Sequence, residues 1–164
     1  MKPRIHHLIL LSCLVIVLLS APSYSQTLTS ITESDIHAMM NEMDRAARKR
    51  NVAGMIAYFA PDIKITMTVL NPGSDKEQVG TLTKDQYAFN ARTNMRRAIS
   101  YHFERKTTRI KIYDAQTATV TGEIYETLKF RQGIFRAASS GVMYVSLRNG
   151  KLVITAMEGR MRVY

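Results

Sequence analysis

The chain has 164 residues, 46% of them hydrophobic, with no tryptophan and a formal net charge of +10. That length supports one domain with a core of its own. A single cysteine, Cys13, excludes an intramolecular disulfide and a thiolate metal site.

The first 25 residues differ in kind from the rest. Lys2 and Arg4 form a short positive region, Leu8 to Leu19 is an apolar run, and Ser20 to Ser25 is small and turn-prone. That order predicts a secretory signal peptide. The run is shorter than the roughly 20 residues of a membrane span, which weighs against a retained anchor. Leu10-Leu11-Ser12-Cys13 resembles a lipobox, but the apolar core continues past Cys13. Cleavage is expected after Ser25, giving a periplasmic or secreted domain over 26–164 with no stable membrane insertion. Loss of Lys2 and Arg4 leaves 21 basic against 13 acidic residues, a charge of +8. Cys13 leaves with the same segment.

The mature region shows no repeat and no linker. Ser34 is the expected N-cap of a first helix, with Asp35 in its first turn. Ile36, Met39, Met40, Met43, Ala46 and Ala47 form one apolar face, and Arg45, Arg48, Lys49 and Arg50 load the C-terminal end. Val52 to Phe59 predicts a second, shorter helix, ended through the restriction Pro61 places on Ala60. Asp62 to Leu70 alternates as a half-buried strand, and Asn71 to Asp75 is a turn. Thr83 with Gln86 is a capping box that opens a third helix. From His102 the period becomes two, and strands are expected over 102–113, 116–130, 136–148 and 152–163. Asn149-Gly150 is a strong hairpin signal, so these four strands form an antiparallel meander.

This α+β order, together with the stretch NVAGMIAYFAPDIKI at 51–65, resembles the nuclear transport factor 2-like superfamily, which includes SnoaL-like cyclases, scytalone dehydratase and the ketosteroid isomerases. The resemblance spans about Ile31 to Tyr164. It implies a cone, in which a strongly curved antiparallel sheet wraps round three N-terminal helices and leaves a pocket at its open end.

The ketosteroid isomerases carry a tyrosine on the first helix, an aspartate base on the first strand and a protonated aspartic acid on a later strand. Alignment on the Ala57–Asp62 step puts Met43, Met67 and Met143 at those three places. A thioether fills space but carries no proton. The implied pocket, assigned to Met43, Tyr58, Met67 and Met143, therefore suits a small hydrophobic ligand. The first reading is an exported binding or assembly module, non-catalytic and without a cofactor. The alternative is a cofactor-free lyase, isomerase or hydrolase that uses a carboxylate or histidine, with Glu126, Glu158 and His37 as candidates.

Glu126 stands in the apolar row Ala118, Val120, Gly122, Ile124, Leu128, Phe130. It is either solvated at a pocket mouth or buried beside an arginine such as Arg92 or Arg96. Glu158 has a similar setting, and a cross-strand Glu–Arg pair is the ordinary account of either. His37 borders the apolar face of the first helix and has no acidic partner three or four residues further on. His102 reads as a solvated strand-end residue. No His-x-x-x-His or Glu-x-x-His pair supports a metal site. The basic residues do not interleave with aromatics as a nucleic-acid surface would require, so a solvated basic surface is the simpler account. The row Thr117, Thr119, Thr121, Glu123, Tyr125 and Thr127 suits homodimerisation through the sheet face, with Arg105, Arg109 and Lys111 expected on the same face.

Overall fold

The computed structural model describes residues 27–73 and 76–164. The expected signal peptide at 1–25, and with it the reading of export, lies outside the described residues, as do Ser74 and Asp75 of the expected turn.

Helix α1 (Glu33–Arg48) is capped by Thr32, not Ser34. The Thr32 hydroxyl accepts from the Asp35 amide, and the Asp35 carboxylate accepts from the Thr32 amide, both at 3.2 Å. Two reciprocal bonds outweigh the single bond that Ser34 could offer. Ile36, Met39, Met40 and Ala47 are buried on one face. Arg50 then turns the chain with φ of 55°, and its guanidinium donates to the carbonyls of Ala98 and Ile99 at 3.0 and 3.1 Å.

Helix α2 is only Val52–Met55, with the Asn51 side chain as its cap. The second helix is thus half the expected length, and Pro61 does not stop it. Strand β1 (Phe59–Leu70) already contains Pro61, which falls where the pairing register of β1 breaks, between Phe59 and Lys64. A proline has no N–H to give a ladder, so a strand tolerates it at such an irregularity. Strand β2 (Glu77–Leu82), which shows no alternating pattern, is largely exposed and pairs only with β1. Helix α3 (Lys84–Arg97) follows with the Thr83–Gln86 capping box.

The remaining strands are β3 (Ser100–Ile112), β4 (Thr117–Phe130), β5 (Gly133–Arg148) and β6 (Lys151–Val163). They form the antiparallel meander expected, closed at β5–β6 by Asn149 and Gly150, both with positive φ. The whole sheet differs from the expected one. Its order is β2-β1-β6-β5-β4-β3, and β1 runs parallel to β6. It is a mixed, open, six-stranded sheet with β2 and β3 as edges, not a closed antiparallel cone. Only α1 and α2 precede it, because α3 is inserted between β2 and β3. The helices pack on one sheet face. Ile36 and Met39 of α1 share a core with Ile65, Val120, Val145 and Ile154 of the sheet, and Ala88 and Met95 of α3 join it.

Candidate functional site

Three glycines stand side by side on neighbouring strands: Gly122 of β4 pairs with Gly141 of β5, and Gly141 with Gly159 of β6. Met67 of β1 continues the row beside Gly159. A Cβ on Gly141 would lie 2.5 Å from the Glu158 carbonyl oxygen, and one on Gly122 would lie 2.7 Å from the Thr107 carbonyl oxygen. Neither position has room for a side chain, so the backbones approach closely along this row. A cavity of about 170 Å³ opens over it. Met67, Met143, Met157 and Met161 line it with Ile65 and Ile124, and Tyr87 reaches it from α3. The polar groups on its wall are Arg105, Glu126, Glu158 and the Ser139–Ser140 pair.

Glu126 is placed by strand alternation, its Cα opposite Phe103 on one side and Ala137 on the other. Its Oε1 accepts a 2.6 Å hydrogen bond from the Tyr101 hydroxyl. Burial pushes the Glu126 carboxyl above the usual carboxylate range, and the Tyr101 bond draws it partly back. Burial also raises the Tyr101 phenol, and the Glu126 charge raises it further. The same two causes push Tyr87 up to about 12. Among the described residues no cation pairs with Glu126.

The arginine of this cavity is Arg105, and it is committed elsewhere. Asp44 of α1, 6% exposed, accepts from Arg105 Nη2 at 2.7 Å and from Nε at 3.0 Å. This fork geometry suits a buried ion pair. Nη1 stays unbonded among the described residues and stands by Gly122, 3.6 Å from where a Cβ would be. Arg105 was expected outside with Arg109 and Lys111. A register shift between Arg105 and Thr107 turns it inward, as a bulge re-aims a side chain. Arg92 and Arg96 instead border a surface depression with Arg50.

Of the other sequence candidates, Glu158 borders the cavity but is exposed. His37 is exposed on α1, and His102 is exposed on β3. Met67 and Met143 line the cavity. Met43 packs on the core but does not line it. Tyr58 is also away from it and donates to Glu42 at 2.5 Å. Burial and that bond push its phenol up to about 12. Among the described residues no group of acidic, histidine or cysteine side chains is arranged to hold a metal.

Four residues, Asp44, Tyr87, Tyr101 and Arg105, escaped the sequence reading as site residues, though each left a trace. Asp44 lies four residues after Met40 and three before Ala47, on the apolar stripe of α1. Tyr101, Phe103 and Arg105 alternate on one row of β3. Tyr87 precedes the buried Ala88 and shares its helix side with Ala91.

No model of a known protein family matches the chain, and no curated protein matches it. Solved structures do. A protein from Novosphingobium aromaticivorans assigned as a scytalone dehydratase is 14% identical, with a TM-score of 0.60 over 78% of this chain and 82% of its own. A type 3 hexachlorocyclohexane dehydrochlorinase from Novosphingobium barchaimii is 15% identical, with a TM-score of 0.57 over 78% and 84%. A nuclear transport factor 2-like protein of unknown function from Pseudomonas putida is 15% identical, with a TM-score of 0.51 over 78% and 84%. At such identities the likeness is one of architecture, and by that architecture this chain has the nuclear transport factor 2-like fold.

Proposed function

We propose that the protein is a cofactor-free lyase or isomerase that removes a carbon-bound proton from a small apolar substrate, with Glu126 as the base. The observation that carries this reading is a carboxyl held in an apolar cavity, raised by burial and bonded to one phenol. A base works best when its pKa approaches the working pH, and burial moves Glu126 in that direction. The cavity is close in size to the ~150 Å³ void that accommodates benzene in an engineered core, so the substrate is about one ring in size. Proton removal beside a carbonyl places charge on the carbonyl oxygen. Arg105 Nη1 is the donor available for that oxygen, and Asp44 holds it in place. Return of the proton to another carbon completes an isomerisation, while departure of a neighbouring group completes an elimination. Two of the similar structures carry names of eliminating enzymes, a dehydratase and a dehydrochlorinase, which supports the same class.

The methionines at 43, 67 and 143 favoured a non-catalytic binding module because they carry no proton. Glu126 and Tyr101 supply a proton carrier from different strands, and this supports the enzymatic reading over the module. Deuterium exchange tests it without a known substrate. The protein is incubated in D₂O with a panel of single-ring ketones, and proton NMR reads label at carbon. Exchange with the wild type and its loss in Glu126→Gln are expected. Equal exchange in both proteins overturns the assignment of Glu126.

The outer sheet face supports a further part of this reading, a homodimer. Tyr125 and Tyr144 are 43% and 38% exposed there. Glu123 lies in register with Ser140, and Ser140 with Arg160 of the next strand. Opposite charges on one surface can meet across a two-fold axis.

A further inference from the structure

Three segments that meet at one end of the molecule carry positive charge and no acidic side chain. Segments 45–54, 88–100 and 127–136 contain four, three and three Lys or Arg residues, ten in all, and no Asp or Glu. The fold brings these segments together. Arg50 donates to the Ala98 and Ile99 carbonyls, which ties the end of α1 to the end of α3. The Ile99 amide donates to the Lys129 carbonyl at 2.7 Å, and Lys129 pairs with Ile134 across the β4–β5 hairpin. Arg50, Arg92 and Arg96 border one surface depression. None of the ten forms an ion pair among the described residues.

Some of these cations have a local reason, since positive charge complements a helix C-terminus. That reason covers Arg45 and Arg48 of α1 and Arg96 and Arg97 of α3. It does not cover Arg92, a turn further back, nor Lys129, Arg131 and Arg136 on the hairpin. Nor does it explain the apolar side chains at the same end. Ile99 is 58% exposed and Ile134 50% exposed. Phe89, 66% exposed, lies three residues before Arg92 on the same side of α3.

We propose that this end docks the protein on the surface of a bilayer rich in anionic headgroups. Cations within a Debye length of such a surface are attracted to it. Ile99 and Ile134 are suited to enter the headgroup layer, where aliphatic chains leave water. Of the exposed apolar side chains at this end only Phe89 offers a ring for stacking. Ile99 and Ile134 are aliphatic and offer no stacking face to a nucleobase, and the two aliphatic chains favour lipid over nucleic acid. The contact proposed is a peripheral one, and no helix among the described residues is long and apolar enough to cross a membrane.

The test is co-sedimentation with phosphatidylcholine vesicles with and without about 30 mol % phosphatidylglycerol. The wild type is compared with Arg92→Glu/Arg96→Glu and with Arg109→Glu/Lys111→Glu, an equal charge change placed toward the other end of β3. All three proteins share residues 1–26, so differences among them report on the domain surface. The expected result is stronger binding to the anionic vesicles, weakened at least about tenfold by the 92/96 variant and less than about threefold by the 109/111 variant. Ile99→Ser/Ile134→Ser should lose the part of binding that persists at high salt. Equal weakening by the two charge variants, no preference for anionic lipid, or binding to an oligonucleotide but not to vesicles each overturns the proposal.

Discussion

Tyr101 and Glu126 meet on a diagonal of the β3–β4 ladder. The Cα of Tyr101 pairs with that of Leu128, and the Cα of Glu126 with that of Phe103, yet the Tyr101 hydroxyl reaches Glu126 Oε1 at 2.6 Å. A long aromatic side chain spans such a diagonal. The contact joins the cavity carboxyl of Glu126 to its only hydrogen-bond donor among the described residues.

The Tyr101 bond lowers the Glu126 carboxyl against the upward push of burial. Tyr101→Phe should therefore raise the Glu126 pKa above its wild-type value and move any pH–rate profile upward with it. Carbon-13 NMR titration of the side-chain carboxyl reads the shift directly. A pKa that falls in the variant would show that the phenol does not donate to the carboxylate.

The same group links folding to pH. A carboxyl whose pKa is raised by folding binds protons more tightly in the native state. Its contribution is intact below the unfolded value of about 4.3, and stability is lost as pH rises toward the folded value. Glu126→Gln removes the ionisation but keeps an acceptor for Tyr101. The variant should match the wild type at about pH 4 and melt a few degrees higher at about pH 8. Thermal scans across that range decide it, and an unchanged difference at both ends would contradict it.

Asp44 and Arg105 form a buried, two-pronged ion pair. Asp44→Ala leaves the guanidinium uncompensated and should cost about 3–5 kcal/mol in urea unfolding. Asp44→Ala combined with Arg105→Met should cost at least about 1 kcal/mol less than the two single losses added together. Additive losses would mean that the pair is not coupled.

The glycine row offers a contrast between two similar changes. Gly141→Ala would place a methyl 2.5 Å from the Glu158 carbonyl oxygen and should destabilise by about 1–3 kcal/mol. Gly80→Ala meets no atom within 4 Å and should stay within about 0.5 kcal/mol of the wild type. Denaturant midpoints separate the two.

For the homodimer, sedimentation equilibrium should find a micromolar association that Glu123→Lys weakens about tenfold, by loss of a pairing charge across the axis. A monomer throughout that range would leave the tyrosines of the outer face as ordinary solvated residues.

Local chemistry in the chain determined much of this structure. The apolar stripe from Ile36 to Ala47 made α1, the Thr83–Gln86 box began α3, and Asn149-Gly150 closed the last hairpin, because periodicity and turn conformations act over a few residues. Glu126 was visible as a lone acid in an apolar row. Other features needed the tertiary fold. β1 runs beside β6 because of a pairing between segments more than 90 residues apart, as Phe59 with Ile154 and Leu70 with Arg162, which no short-range pattern encodes. β2 is an edge strand held by one neighbour, so it needs no alternation and shows none. Arg105 faces inward because one bulged residue reverses the alternation on β3. Its partner Asp44 lies 61 residues earlier, and the Tyr101 donor to Glu126 lies 25 earlier. Such contacts depend on which strands and helices become neighbours, and that is settled only when the whole core packs.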